Sequence, residues 1–336
     1  MASAGKSPRH VISICMVMVL GAAGPATAAQ PGMGAGNYPS KPIRLVVPSA
    51  PGGGTDIIAR LIAQALGESW GQTVVVDNRG GAGGIPGVSI VAKQSAPDGY
   101  TMLLGSVGHV SFAPAVRRNL GYNPETDLTP VTLAASQPFV IAASLSLPVK
   151  SIKELIALAK AKPRSVSYGS GGTGTASHLG VELLQIEAGF SMLHVPYKGS
   201  NPAIAAVMGG DLQIALAGLA TVLPHVKSGR LKALAVTGAK RSRVAPELPT
   251  VAESGVPRYV FDVWYGIMFP GGTPQAIVAK THAELTRLLK SPALGERYAA
   301  AGLEPMTSTP QEFSDRIKSE LPKWQRVAKE ANIRID

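Results

Sequence analysis

Beyond its first residues the chain has no cysteine, because the single one, Cys15, lies in a short apolar run near the N-terminus. That excludes disulfides, thiol nucleophiles and thiolate metal sites from the body of the protein. The one G-x-S-x-G match, Gly67-Glu68-Ser69-Trp70-Gly71, closes a helical pattern and does not stand in a strand-to-helix turn, which leaves the nucleophile of an α/β-hydrolase without a seat. His109, His178, His194, His225 and His282 are well separated and form neither H-x-x-x-H nor H-E-x-x-H, so no metal site is expected. After residue 28 no stretch approaches the ~20 apolar residues that a membrane-spanning helix needs. Acidic residues are outnumbered, with 21 Asp and Glu against 32 Lys and Arg and a formal charge of +11. A basic balance suits an anionic ligand and its long-range steering. The bases are spread singly, with only Arg117-Arg118 and Lys240-Arg241 adjacent, and without a basic stripe or interleaved aromatics nucleic acid is not an expected partner.

Lys6, Arg9 and His10 precede an apolar run over 11–20, and small residues then lead to Ala26-Thr27-Ala28. This is the pattern of an export signal over residues 1–28, cleaved after Ala28 or Ala29. The remaining chain is long enough for two domains with a core each.

An apolar strand over 43–47 runs into Pro51-Gly52-Gly53-Gly54-Thr55-Asp56, and helical spacing of apolar residues follows over 57–66. Consecutive glycines leave backbone N–H groups unshielded at a helix N-terminus, where a carboxylate or phosphate docks without a cationic side chain. A turn that merely lets strand and helix pack closely accounts for this loop equally well on its own. Asp56, at the start of the helix, reads as a capping or dipole-complementing residue. A second strand, 73–76, ends in the loop Gly80-Gly81-Ala82-Gly83-Gly84 before a helix over 88–94, and a third, 100–104, ends in Gly105-Ser106-Val107-Gly108-His109. Residues 131–143, containing Pro138, read as an extended crossing between domains. Ser151 and Glu154 predict a capping box on a helix over 151–161. A strand over 165–168, the loop from Gly169 to Thr175 and a helix over 176–188 then repeat the opening motif. Strands and helices alternate to residue 237, an aromatic-rich extended segment over 259–269 returns the chain, and helices over 274–289 and 310–331 finish it. The pattern predicts an α/β fold of two domains, each a mainly parallel sheet flanked by helices, joined by two hinge crossings.

Gly169-Ser170-Gly171-Gly172-Thr173-Gly174 matches G-x-G-x-x-G, but the next strand ends in Tyr197-Lys198 and carries no acid for a ribose hydroxyl, so no nucleotide or other cofactor is expected. His178, in the first turn of the second glycine helix, is either a donor to an anion or a packing residue, and His194 and His225 read as structural.

Tyr38-Pro39-Ser40-Lys41-Pro42, Pro51-Gly52-Gly53-Gly54-Thr55-Asp56, Val76-Asp77-Asn78-Arg79-Gly80-Gly81 and Ala96-Pro97-Asp98-Gly99-Tyr100-Thr101 resemble the Bug family, the solute receptors of tripartite tricarboxylate transporters. The likeness continues through Gly172-Thr173-Gly174-Thr175-Ala176-Ser177-His178, His194-Val195-Pro196-Tyr197-Lys198-Gly199, Leu223-Pro224-His225 and Pro249-Thr250-Val251-Ala252-Glu253-Ser254-Gly255. It implies a periplasmic Venus flytrap receptor and no enzyme, with one domain from 38–138 and 266–336 and a second from 139–265. Such a receptor captures a small carboxylate and delivers it to inner-membrane permease subunits; a sensor protein is a further partner of some relatives.

The resemblance also implies that one carboxylate is held by backbone and hydroxyl groups of Gly52, Gly53, Gly54, Thr55 and Asp56 and of Gly172, Thr173, Gly174, Thr175, Ser177 and His178. Ser106, His109, Lys198 and Ala217 would meet the rest of the ligand. At Ala217-Gly218 relatives usually show Asp-Asn, and Ala217 offers no partner to an ammonium, which points to an amine-free di- or tricarboxylate or an aromatic carboxylate. Lys198 is either the partner of a second carboxylate or a solvated lysine. An exported enzyme acting on a carboxylic acid or ester in the same cleft is the alternative.

Overall fold

The computed structural model describes Met1 and residues 35–335. The export signal and its cleavage site otherwise lie outside the described residues. In chain order the elements are β1 Ile43–Val47, α1 Gly54–Trp70, β2 Val74–Asn78, α2 Ile85–Ser89, β3 Thr101–Ser106, α3 Ala113–Val116 and β4 Leu128–Gln137. They continue with β5 Phe139–Ala143, α4 Ile152–Ala161, β6 Ser167–Ser170, α5 Ala176–Ala188, β7 Leu193–Pro196, α6 Ser200–Gly209, β8 Ile214–Gly218, α7 Leu219–Lys227 and β9 Lys232–Val236. The chain ends with β10 Val263–Pro270, α8 Gln275–Leu289, α9 Pro292–Ala300, β11 Glu304–Pro305 and α10 Pro310–Glu330.

These strands form two sheets, ordered β11-β4-β10-β3-β1-β2 and β7-β6-β8-β5-β9. In the first, β1 pairs in parallel with β2 and β3, while β10 runs antiparallel to β3 and β4. In the second, β6 pairs in parallel with β7 and β8, and β5 runs antiparallel to β8 and β9. Both sheets are therefore mixed, and the antiparallel members are those next to the crossings. The extended stretch around Pro138 is two strands in two sheets, β4 and β5, with the proline between them; its missing N–H suits a position that belongs to neither ladder. The return crossing lies between β9 and β10.

Helix α1 shows why these residues form these elements. Ile58, Ile62 and Leu66 recur at helical spacing and are almost wholly buried against the first sheet, each worth about 1.5–3 kcal/mol of apolar burial. Gly71, at φ 63°, ends the helix in the left-handed region that glycine adopts without steric penalty. On α4, Ser151 accepts from Glu154 N–H as expected, but the Glu154 carboxylate reaches back to Lys150 N–H. A full capping box occurs instead on α10, between Thr309 and Glu312. Helix α9, capped by Ser291 ahead of Pro292, is an additional element between the two helices expected at the end of the chain.

Candidate functional site

The βα loops of both sheets open on one cavity of about 350 Å³, at the low end of the ~300–1,000 Å³ usual for small-molecule sites. Thr55 lines it from the start of α1, and Thr173, Gly174, Thr175 and Ala176 line it from the start of α5. The first N–H groups of a helix have no intrahelical acceptor, and here the first such bonds are Ile57 N–H to Gly53 O and Leu179 N–H to Thr175 O. The groups ahead of them form two donor sets, with the positive ends of two helix dipoles behind them. Among the described residues no Asp or Glu lines the cavity.

The loops are held by bonds of their own. Asp56 is buried, and its Oδ2 accepts from Gly52 N–H and Arg60 Nε at 2.9 Å each. Burial works to raise its pKa, but these bonds hold the carboxyl below its ordinary range. In the second loop Thr175 Oγ1 donates to Gly172 O at 2.7 Å, Ser177 Oγ accepts from Gly171 N–H at 2.9 Å and His178 Nδ1 accepts from Gly174 N–H at 3.0 Å. His178 stacks on His194 with ring centroids 3.8 Å apart; burial, and then His194 beside it, push its pKa down to about 3.

His109 joins the ends of two strands. Its Nδ1 accepts from Ser106 N–H at 3.1 Å, and the ring also bonds the Pro48 carbonyl, which requires the Nε2–H tautomer. Burial lowers its pKa to about 4, so the ring is neutral at pH 7. Gly84 makes this possible: at φ +86°, a Cβ there would lie 2.5 Å from His109 Nε2 and 2.7 Å from Pro48 O. At the cleft floor Tyr265 O–H donates to Gln137 Oε1 at 3.0 Å. Phe112 and Phe139 add apolar surface and pack on Phe261, beneath which Trp324 of α10 meets Phe112 edge-on at 4.6 Å.

The model of the family described as tripartite tricarboxylate transporter family receptor, TctC, matches residues 58–333. The chain belongs to that family. It is 38% identical over 306 residues to Protein BugT of Bordetella pertussis, covering 90% of this chain and 92% of that one. Among solved structures it is similar to R. palustris Rpa4515 with adipate, at 38% identity and a TM-score of 0.76, covering 89% of this chain and 99% of the other. It is also similar to MatC (Rpa3494) from Rhodopseudomonas palustris with bound malate, at 29% identity and a TM-score of 0.71, covering 86% and 99%. The two-sheet α/β fold is that of solute-binding receptors, and this TctC receptor is not an enzyme.

Of the residues singled out in the sequence, the receptor gathers Thr55, Ser106, His109, Thr173, Gly174 and Thr175 around the cavity. Gly54 lies beside it, since a Cβ there would come 3.9 Å from Gln137. Gly52, Gly53, Asp56, Gly172, Ser177 and His178 are not among the lining residues; Asp56, Ser177 and His178 tie the two loops by the bonds given above. Lys198 is exposed on the turn after β7 and is not among the lining residues. Ala217 is 1% exposed in the core with Val140 and Val236, and it is Gly218 that faces the Gln137 side chain. Gln137, Tyr265, Phe139, Arg117 and Ile335 line the cleft without having been singled out. Pro138 was a signal for the first of these, because a hinge crossing brings its flanking residues to the cleft floor.

Proposed function

We propose that this TctC receptor captures a small amine-free carboxylate, a di- or tricarboxylate or an aromatic acid, between two domains and hands it to the permease of a tripartite tricarboxylate-type transporter. The two domains are 38–138 with 266–336, and 139–265, each built on one of the sheets. Export to the periplasm, with cleavage after Ala28 or Ala29, belongs to the same reading, and a sensor protein is a second recipient of the loaded receptor. The observation that carries the reading is that α1 and α5 open their N-termini on one cavity whose lining contains no acid among the described residues. An α-ammonium entering there would lose its water without meeting a carboxylate partner. The adipate and malate held by two similar receptors support the ligand class.

A thermal-shift screen of the mature protein over aliphatic di- and tricarboxylates, aromatic acids, aspartate and glutamate tests this. A rise in Tm with amine-free acids is expected, by about 2–3 kcal/mol of added stability at a hundredfold excess over Kd. Micromolar binding of aspartate or glutamate overturns the amine-free assignment.

A further inference from the structure

The cleft contains a cation that the carboxylate reading does not use. Arg117 directly follows α3, is half-buried and lines the cavity. Arg44, Arg60 and Arg79 of the same part of the chain are each paired with an aspartate, whereas Arg117 has no ion pair among the described residues. Its backbone is fixed from two sides. Arg117 N–H donates to Ala113 O at 3.0 Å, and Ile335 N–H donates to Val116 O at 2.9 Å in a parallel bridge between Arg117 and Ile335. The guanidinium overhangs the 80–84 loop after β2, with Nη2 3.8 Å from the point where a Cβ on Gly83 would sit. Beside it the cavity wall is apolar, formed by Phe112, Val116, Phe139 and Ile335. Ile335 also reaches the second sheet's loop, for a Cβ on Gly174 would come 2.5 Å from its Cδ1.

We propose that Arg117 is a second anion subsite of the cleft, taking the far carboxylate of a straight-chain α,ω-dicarboxylate whose apolar chain lies on Phe112, Phe139 and Ile335. This rests on the reading of the two helix N-termini as the site of the first carboxylate. A guanidinium offers a carboxylate two parallel N–H donors, so it fixes orientation as well as charge. The two anchors stand on fixed backbone, and together they select chain length, while a monocarboxylate bound at the helix N-termini gains nothing from Arg117.

The test is calorimetry on the mature protein and on Arg117→Gln, Arg117→Lys, Arg118→Gln and Lys198→Gln, with straight-chain dicarboxylates from succinate to sebacate and the monocarboxylate matched to each. The wild type is expected to prefer one or two of the diacids over their monoacids by about tenfold or more. Arg117→Gln abolishes that preference and leaves monoacid affinity within about twofold, Arg117→Lys retains part of it, and Arg118→Gln and Lys198→Gln leave it intact. Unchanged monoacid affinity also reports that a variant is folded. If Arg117→Gln keeps the wild-type preference, if Lys198→Gln removes it, or if the wild type has none, the subsite is overturned while the carboxylate cleft stands. If no acid of either series binds the wild type, the subsite is overturned, and the cleft reading falls as well if the thermal-shift screen over tricarboxylates and aromatic acids also shows no ligand.

Discussion

His109 and His178 hold their strand end and glycine loop as neutral rings, and both have pKa values depressed by burial, to about 4 and about 3. In the unfolded chain each titrates near its ordinary value of ~6.5. Between the two values the unfolded chain binds protons that the folded one does not, so their contribution is complete above about pH 6.5 and is lost as the pH falls. Each ring removes ~1 kcal/mol per pH unit over that window. Glu182, whose carboxyl burial pushes upward, works in the opposite sense and opposes folding as the pH rises past its ordinary range. Urea unfolding at pH 7 and pH 5 is expected to show this loss, with a shallower slope in His109→Gln; an unchanged slope contradicts the assignment. At this scale the cleft was only partly legible. Lys198 drew attention by its charge, yet a flexible lysine stays in water, while Arg117 became visible only once the bridge to Ile335 had set it at the cleft. Ala217 was expected to meet the ligand, but it is a residue of β8, and its facing depends on strand register, which a single sequence leaves open.

The glycine loops are the elements that make the site, and their glycines are not equivalent. At Gly52, φ is +82° with open space around the missing Cβ, so Gly52→Ala carries backbone strain alone, about 1 kcal/mol. At Gly84, φ is +86° and the Cβ would run into the Pro48 carbonyl and His109 together. Gly84→Ala is expected to destabilise by about 3 kcal/mol or more, and a urea midpoint no lower than that of Gly52→Ala contradicts the close packing of this loop on His109. Elements with strong periodicity, such as α1 and α4, were legible because burial enforces the pattern, and the glycines past strand ends marked their loops. The short α9 and the two-residue β11 were not, because they bury few residues and local contacts decide them.

At the scale of the molecule, the two sheets are joined at Pro138 and between β9 and β10, and Gln137 and Tyr265 from the two crossing strands meet at the cleft floor. Helix α10 ties the parts together: Arg326 pairs with Glu187 of α5, Trp324 packs under the aromatic floor, and the tail beyond it carries Ile335 into the cleft. The repeated strand, glycine loop and helix made the double architecture legible in the sequence, whereas the strap of α10 was hidden, since a surface helix shows its buried stripe and not its neighbour. The central claim is that backbone N–H groups of α1 and α5 hold one carboxylate between them. Amide NMR during titration with the best-binding carboxylate tests it directly. The account predicts that the amides of Gly54, Thr55 and Asp56 and those of Ala176, Ser177 and His178 shift together with one Kd. Shifts confined to one of the two loops, or absent from both while binding is saturated, would contradict it.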